Sequence, residues 1–200
     1  KLGARYDRFT TKDDRKSEGQ NLGYIYYLLQ NMQGAVMNFD PIDDKEAGFS
    51  FLGIVSYAHS QLLNASYRFS TGFRVPNTEE QYFQFYSAWP SFVVLSNRAL
   101  KAEKSYNHEL ELSGKGWGFG YLLSFYYNHY ADFIELKQGT LTVKEPLMQT
   151  PKNISYVKNV NQTSANLKGF DVALQFYPEE WTGILKGFMV SSAFSYAEGR

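Results

Sequence analysis

Alternation with a period of two runs through most of the chain. Between Leu63 and Arg74 the odd positions hold Leu63, Ala65, Tyr67, Phe69, Thr71 and Phe73, and the even ones Asn64, Ser66, Arg68, Ser70, Gly72 and Arg74. Successive side chains of an extended strand point to opposite faces, so this stretch predicts a strand that is greasy on one side and polar on the other. From Ser105 to Ser113, Tyr106, His108, Leu110 and Leu112 oppose Asn107, Glu109 and Glu111, and the pattern recurs from Phe119 to Phe133. These runs exceed the roughly five to six residues of an average soluble strand. Weaker versions at Leu2 to Asp7, Phe49 to Ala58, Gly169 to Tyr177 and Gly187 to Ala197 bring the set to about seven strands. Asn21 to Phe39 fits neither period and reads as outer-loop structure or a short helix.

The predicted connections alternate in length. They are long after Arg8, short at His59 to Gln61, long from Pro76 to Glu103, short at Gly114 to Gly116, long from Lys137 to about Lys158, and moderate at Pro178 to Lys186. Long and short ends therefore fall on opposite sides, as in transmembrane barrels with tight periplasmic turns and extended outer loops. Backbone groups left unpaired in hydrocarbon are costly, so crossing strands must pair laterally and close, and about nine to eleven tilted residues span the layer. The fold expected is all-β: a segment of an antiparallel transmembrane β-barrel with long extracellular loops and short periplasmic turns. A soluble β-sandwich also alternates, but seldom with strands this long or this aromatic.

In such a wall the odd residues of Leu63 to Phe73 face lipid and Arg68 and Arg74 face a watery lumen. Pro76 ends the strand, because proline cannot donate to the ladder. Arg68 is expected near Glu109 or Glu111 as a lumen ion pair. Folding the turn at Gly114 to Gly116 sets Leu112 opposite Phe119 and Tyr106 opposite Phe125. Pairing Tyr57 with Leu63 sets Gly53 beside Tyr67 and Phe51 beside Phe69. Aromatics gather at strand ends, with Tyr57, Trp117, Phe119, Phe176, Trp181 and Phe188 near the short turns and Phe73, Tyr127, Phe133 and Tyr196 at the far side. This is the pattern of two interfacial girdles.

Acidic and basic side chains balance at 20 each, so no nucleic-acid partner is expected. The absence of cysteine removes disulfides, Cys-based zinc sites and thiol catalysis together. No apolar run is long enough for a transmembrane helix, and "KLGARYDRF" lacks the apolar core of a signal peptide. The chain begins without Met inside one strand-like pattern and ends inside another, which predicts an internal piece of a longer protein. Asp13-Asp14, Asp43-Asp44 and Glu79-Glu80 are adjacent acids in polar loops, where solvation is the plain reading, and Glu109 and Glu111 share a face with no nucleophile or histidine. No phosphate loop or metal-ligand spacing appears, so neither an enzyme nor a metal site is expected. His59 falls in a short turn, and His108 and His129 fall on the lipid-facing register, where an interfacial aromatic is a plainer role than a ligand.

"YRFSTGFRVPNTEEQYFQF" and "LSNRALKAEKSYNHELEL" resemble TonB-dependent outer-membrane receptors of the haemoglobin, transferrin and lactoferrin group. Phe73, Arg74 and Pro76 match that family's Phe-Arg-Ala-Pro box. Asn97 and Leu100 match its Asn-Pro-Asn-Leu box, and Glu103, Lys104 and Ser105 the Pro-Glu-Lys-Ser that follows. "YYNHYADFIEL" and "ANLKGFDVAL" resemble the next two strands, so the likeness runs from about Ala47 to the end. It implies a barrel of about 22 strands with a separate plug, neither the plug nor the remaining strands being in this chain. It further implies a monomeric receptor in the outer membrane of a Gram-negative bacterium, surrounded by lipid and energised by a TonB complex through that plug. The cargo implied is haem or iron, taken from a host haem-carrying or iron-carrying protein such as haemoglobin, haemoglobin–haptoglobin or transferrin, with no intrinsic cofactor. A siderophore receptor of the same fold is the alternative. Haemoglobin receptors of the group commonly hold a haem-ligating His between the two boxes. Trp89 stands there in this chain and cannot ligate iron, while Tyr82 and Tyr86 could in principle offer phenolate. Tyr82, Phe83, Phe85, Tyr86, Trp89, Pro90 and Phe92 crowd this one loop, and aromatics anchor protein interfaces, so it is the candidate ligand-binding loop. Self-packing is the competing role.

Overall fold

A computed structural model describes residues 1–13, 42–83, 85–88, 91–143, 152–183 and 185–200. The segment Asn21 to Phe39 lies outside them. In chain order the elements are β1 (Leu2–Asp13), β2 (Ile42–Ser60), β3 (Leu63–Arg74), α1 (Thr78–Tyr82), β4 (Phe85–Ala88), β5 (Ser91–Leu95), β6 (Glu103–Gly116), β7 (Phe119–Val143), β8 (Lys152–Phe176), α2 (Glu179–Thr182) and β9 (Val190–Gly199). All the strands join one sheet in the order β1-β2-β3-β6-β7-β8, with β9 beside the C-terminal half of β8 and the β5-β4 hairpin beside its N-terminal half. Every pairing is antiparallel except that of β5 with β8.

No second layer covers the apolar face among the described residues. Val55 is 73% exposed, Phe194 59% and Phe49 76%, and among the described residues the buried aliphatic side chains are Val93, Leu100, Ile134 and Ile154. A β-sandwich would bury its greasy face against a partner sheet. A single sheet with a continuous exposed apolar face is instead an open section of barrel wall, whose apolar solvent is the lipid layer.

The two short turns are tighter than the sequence predicts. Trp117 (φ 52°) and Gly118 (φ 76°) form a two-residue connection with both central residues at positive φ, the hairpin geometry that matches strand twist. Gly116 therefore pairs with Phe119, and Leu112 faces Leu123 rather than Phe119. At the other turn Tyr57 faces Ala65 and Gly53 faces Phe69, with an irregularity between Ala58 and Ser60. Phe51 pairs with Thr71, although its ring stays 6.3 Å from that of Phe69. Both slips are by an even number of residues, so each side chain keeps its face. The turns are also tied to one another: Lys115 N donates to the Gln61 carbonyl and the Tyr121 hydroxyl to that of Leu62, each at 2.8 Å.

The long connections depart further. Lys137 to Lys158, read above as a loop, is mostly ladder, because β7 and β8 stay paired from Phe119↔Phe176 up to Val143↔Lys152. Pro76 to Glu103 holds α1 and the β4-β5 hairpin.

Candidate ligand-binding loop and its anchor

The loop between β3 and β6 starts with a clamp. Asn77 caps α1: its side chain accepts from Glu80 N at 2.7 Å, and the Glu80 carboxylate accepts in turn from Asn77 N at 2.8 Å. The same Glu80 carboxylate takes two bonds from Arg74 Nη1, at 2.8 and 3.0 Å. Arg74 Nε donates to Glu103 Oε2 at 2.6 Å, and Glu103 Oε1 accepts from Ile134 N at 2.5 Å. One guanidinium thus joins the end of β3, the start of α1 and the start of β6, and Glu103 extends the link to β7. Glu103 is nearly buried, a placement that is tolerable because both its oxygens are used. Arg74 lies beyond the apolar band, and the Glu103 hydrogen bond raises its pKa above the ordinary value. Partial burial opposes this shift and Glu80 adds to it.

Asparagines dock the rest of the loop. Asn97 Nδ2 donates to the Asn159 carbonyl at 2.8 Å, and Asn97 N donates to the Gln81 carbonyl at 3.0 Å. Asn161 accepts from Lys101 N at 2.8 Å and donates to the carbonyls of Lys101 and Asp132 at 3.0 and 2.6 Å. Leu100 is 4% exposed, and Lys104 and Ser105 enter β6 opposite Phe73 and Gly72. The motif residues Phe73, Arg74, Pro76, Asn97, Leu100, Glu103, Lys104 and Ser105 thus mark the two roots of the loop on the wall. Sequence reasoning missed Gln81, Ile134, Asn159 and Asn161 as partners in this anchor. Their only trace is the period-two spacing of the two asparagines on β8.

The loop aromatics divide. Tyr82 is half-buried beneath Arg98, whose Cζ lies 5.6 Å from the ring centroid, and Phe92 is half-buried on β5. Phe83 and Phe85 are 52% and 51% exposed, with centroids 6.5 Å apart and planes at 7°. Trp89, Pro90 and the side chains of Tyr86 and Trp181 lie outside the described residues. Among the described aromatics of the loop, the geometry thus sets an exposed, stacked phenylalanine pair apart from the half-buried Tyr82 and Phe92.

On the polar face, Arg68 and Glu109 are register partners and their side chains meet at 2.8 Å, while Glu111 faces Ser66. Ser124 Oγ donates to the other Glu109 oxygen at 3.3 Å. Both charged groups are substantially solvated, so a double-mutant cycle on Arg68→Ala and Glu109→Ala is expected to return a coupling of about 1 kcal/mol or less in urea unfolding. No metal-holding group of three or more His, Asp or Glu occurs among the described residues. His59 meets the Tyr57 hydroxyl at 3.2 Å, and His108 and His129 lie on the apolar face.

Across residues 1–200 the chain matches the family model described as TonB dependent receptor-like, beta-barrel. The chain belongs to that family. It is 29% identical over 222 residues to the hemoglobin-haptoglobin utilization protein B of Neisseria meningitidis serogroup A, a match covering 99% of this chain and 24% of the relative. In solved structures it resembles the hemophore receptor HasR of Serratia marcescens, there in complex with HasA and heme, with TM-score 0.63 and 13% identity over 99% of this chain and 29% of HasR. It also resembles the siderophore receptor PirA of Pseudomonas aeruginosa, with TM-score 0.55 and 18% identity over 78% of this chain and 27% of PirA. These likenesses show the barrel fold. The TonB-dependent receptor segment described here spans about a quarter of the length of the curated relative it matches.

Proposed function

We propose that this chain is part of the wall of an outer-membrane receptor that captures a haem-carrying host protein of the haemoglobin type and takes up its haem or iron with TonB-derived energy. The observation that carries the reading is the clamped loop with its exposed Phe83 and Phe85, a stacked pair of apolar side chains beyond the membrane band. The name of the Neisseria relative, a hemoglobin-haptoglobin utilization protein, favours a protein ligand for that loop. Sheet edges left open at β1 and β9 among the described residues, and coverage of a quarter of the relative, support a larger barrel completed by strands and a plug outside this chain. On this reading the protein sits in the outer membrane of a Gram-negative bacterium as a monomeric barrel in lipid and meets the TonB complex through the plug. It carries haem or iron as cargo rather than as a resident cofactor, and acts as a receptor rather than an enzyme. The likeness to PirA supports a siderophore receptor as the second reading.

The test is capture by the intact receptor of haemoglobin, transferrin and free haem, each offered separately. Haemoglobin is expected to bind. The Phe83→Ala/Phe85→Ala receptor is expected to lose affinity by about tenfold to a hundredfold. Binding of transferrin alone, or of none of the three, would redirect the assignment, and unchanged affinity in the double variant would remove this pair from the capture surface.

A further inference from the structure

We infer that the upper half of β7 is a binding edge for an extended segment of the captured protein, which is held there as an added strand of the sheet. The inference rests on the proposed function, which puts a protein ligand at this end of the wall. β6 pairs with β7 only as far as Lys104↔Ala131, whereas β8 follows β7 up to Val143↔Lys152. Above Ala131, β7 therefore has a neighbouring strand on one side and none on the other among the described residues. Asp132, with φ 54°, stands where the two pairings part.

One hydrogen bond shows which main-chain groups this leaves open. Ile134 N donates to the Glu103 carboxylate at the start of β6, so the Ile134 amide points away from β8. Successive residues of an antiparallel strand turn their N–H and C=O groups to opposite sides, so those of Leu136, Gln138, Thr140 and Thr142 point the same way as the Ile134 amide. Glu103 thus fills the first position of the open edge. The next four positions, about 20 Å of strand, have no partner strand among the described residues.

Edge strands are ordinarily guarded by charge or proline at such positions. Here the residues that offer their main chain are Leu, Gln and Thr, and all four side chains are exposed, Leu136 at 53%. The two charges between Ile134 and Thr142, on Glu135 and Lys137, belong to the alternate residues whose amides turn to β8. An uncharged edge backed by a long ladder suits main-chain pairing, and Leu136 offers an apolar contact to every second side chain of a guest strand. The edge starts at the Glu103 clamp, which also holds the root of the candidate capture loop, so the two surfaces are continuous.

Hydrogen exchange of the intact receptor, alone and saturated with haemoglobin or with the haemoglobin–haptoglobin complex, reads the edge directly. In the free receptor the amides of Leu136, Gln138, Thr140 and Thr142 are expected to exchange faster than those of Glu135, Lys137 and Gly139. Capture is expected to slow the first group by about tenfold or more. Gln138→Pro/Thr140→Pro removes two outward N–H groups and spares the bonds to β8, and is expected to weaken capture by about tenfold to a hundredfold. Gln138→Ala/Thr140→Ala keeps the main chain and is expected to bind within about twofold of the unaltered receptor. Outward amides already protected in the free receptor would mean that its own chain covers the edge, and the proposal would fall. Capture that leaves their exchange unchanged, or a proline variant that binds with full affinity, would also overturn it, as would an alanine variant as weak as the proline one. Failure of the unaltered receptor to capture either protein would sink the proposed function itself, and this inference with it.

Discussion

Glu103→Ala is expected to loosen the candidate capture loop by about 2–3 kcal/mol while the membrane wall stays folded. The carboxylate is nearly buried and each oxygen has a partner, Arg74 Nε at 2.6 Å and Ile134 N at 2.5 Å. Its removal leaves a backbone N–H without an acceptor and strips Arg74 of one of its two acidic partners. Glu80 then holds the guanidinium alone, and the tie between α1 and β6 is lost. Glu103→Gln keeps an oxygen for Ile134 N and forfeits the charge, so its cost is expected to be smaller, about 1–2 kcal/mol. Hydrogen exchange of the intact receptor in bilayers reads both: protection of residues 76–102 should fall steeply in the Ala variant and modestly in the Gln variant. Protection in the lower halves of β6 and β7 should be unchanged. Equal protection in all three proteins would mean that the clamp does not hold the loop.

Gly114→Val should damage the opposite end of the wall to a similar degree. A Cβ at Gly114 would run into the Leu62 carbonyl oxygen, and would also lie 2.8 Å from the Tyr121 ring. The obstacle is backbone, so no rotamer change relieves it. The β2-β3 turn must lift away from β6, breaking the Lys115–Gln61 and Tyr121–Leu62 hydrogen bonds. With two bonds lost and strain added, the expected destabilisation is about 3 kcal/mol or more, measured by urea unfolding from lipid vesicles. Gly3→Ala is the control, because its nearest neighbour would be Leu52 Cβ at 3.9 Å, and a change within about 0.5 kcal/mol is expected. If the two variants unfold together, the turns are not packed as described.

The two effects sit at opposite ends of the wall and differ in how far the sequence discloses them. The period-two pattern of Leu63 to Arg74 coincides with β3 at both ends, and the Arg68–Glu109 contact lies within the pair of choices that alternation allowed. Nothing in the sequence marks Ile134 as the partner of Glu103, or Leu62 as the atom group that forbids a side chain at Gly114. Those contacts join residues separated by 31 and 52 positions (134 − 103 and 114 − 62). Within the aromatic loop, composition places Tyr82, Phe83, Phe85 and Phe92 in one group, and only packing separates the half-buried Tyr82 and Phe92 from the exposed phenylalanine pair.

The sequence by itself determined the faces. Which residue points to lipid and which to the polar side follows from the alternation of Cβ direction along an extended backbone, and that survives any even slip in pairing. Register, the continuation of β7 and β8 above the membrane band, the seating of β5 on the free upper edge of β8, and the division of the loop aromatics were decided only by the tertiary structure. Each of these depends on turn geometry and on hydrogen bonds between distant segments, which a local hydrophobic pattern does not encode.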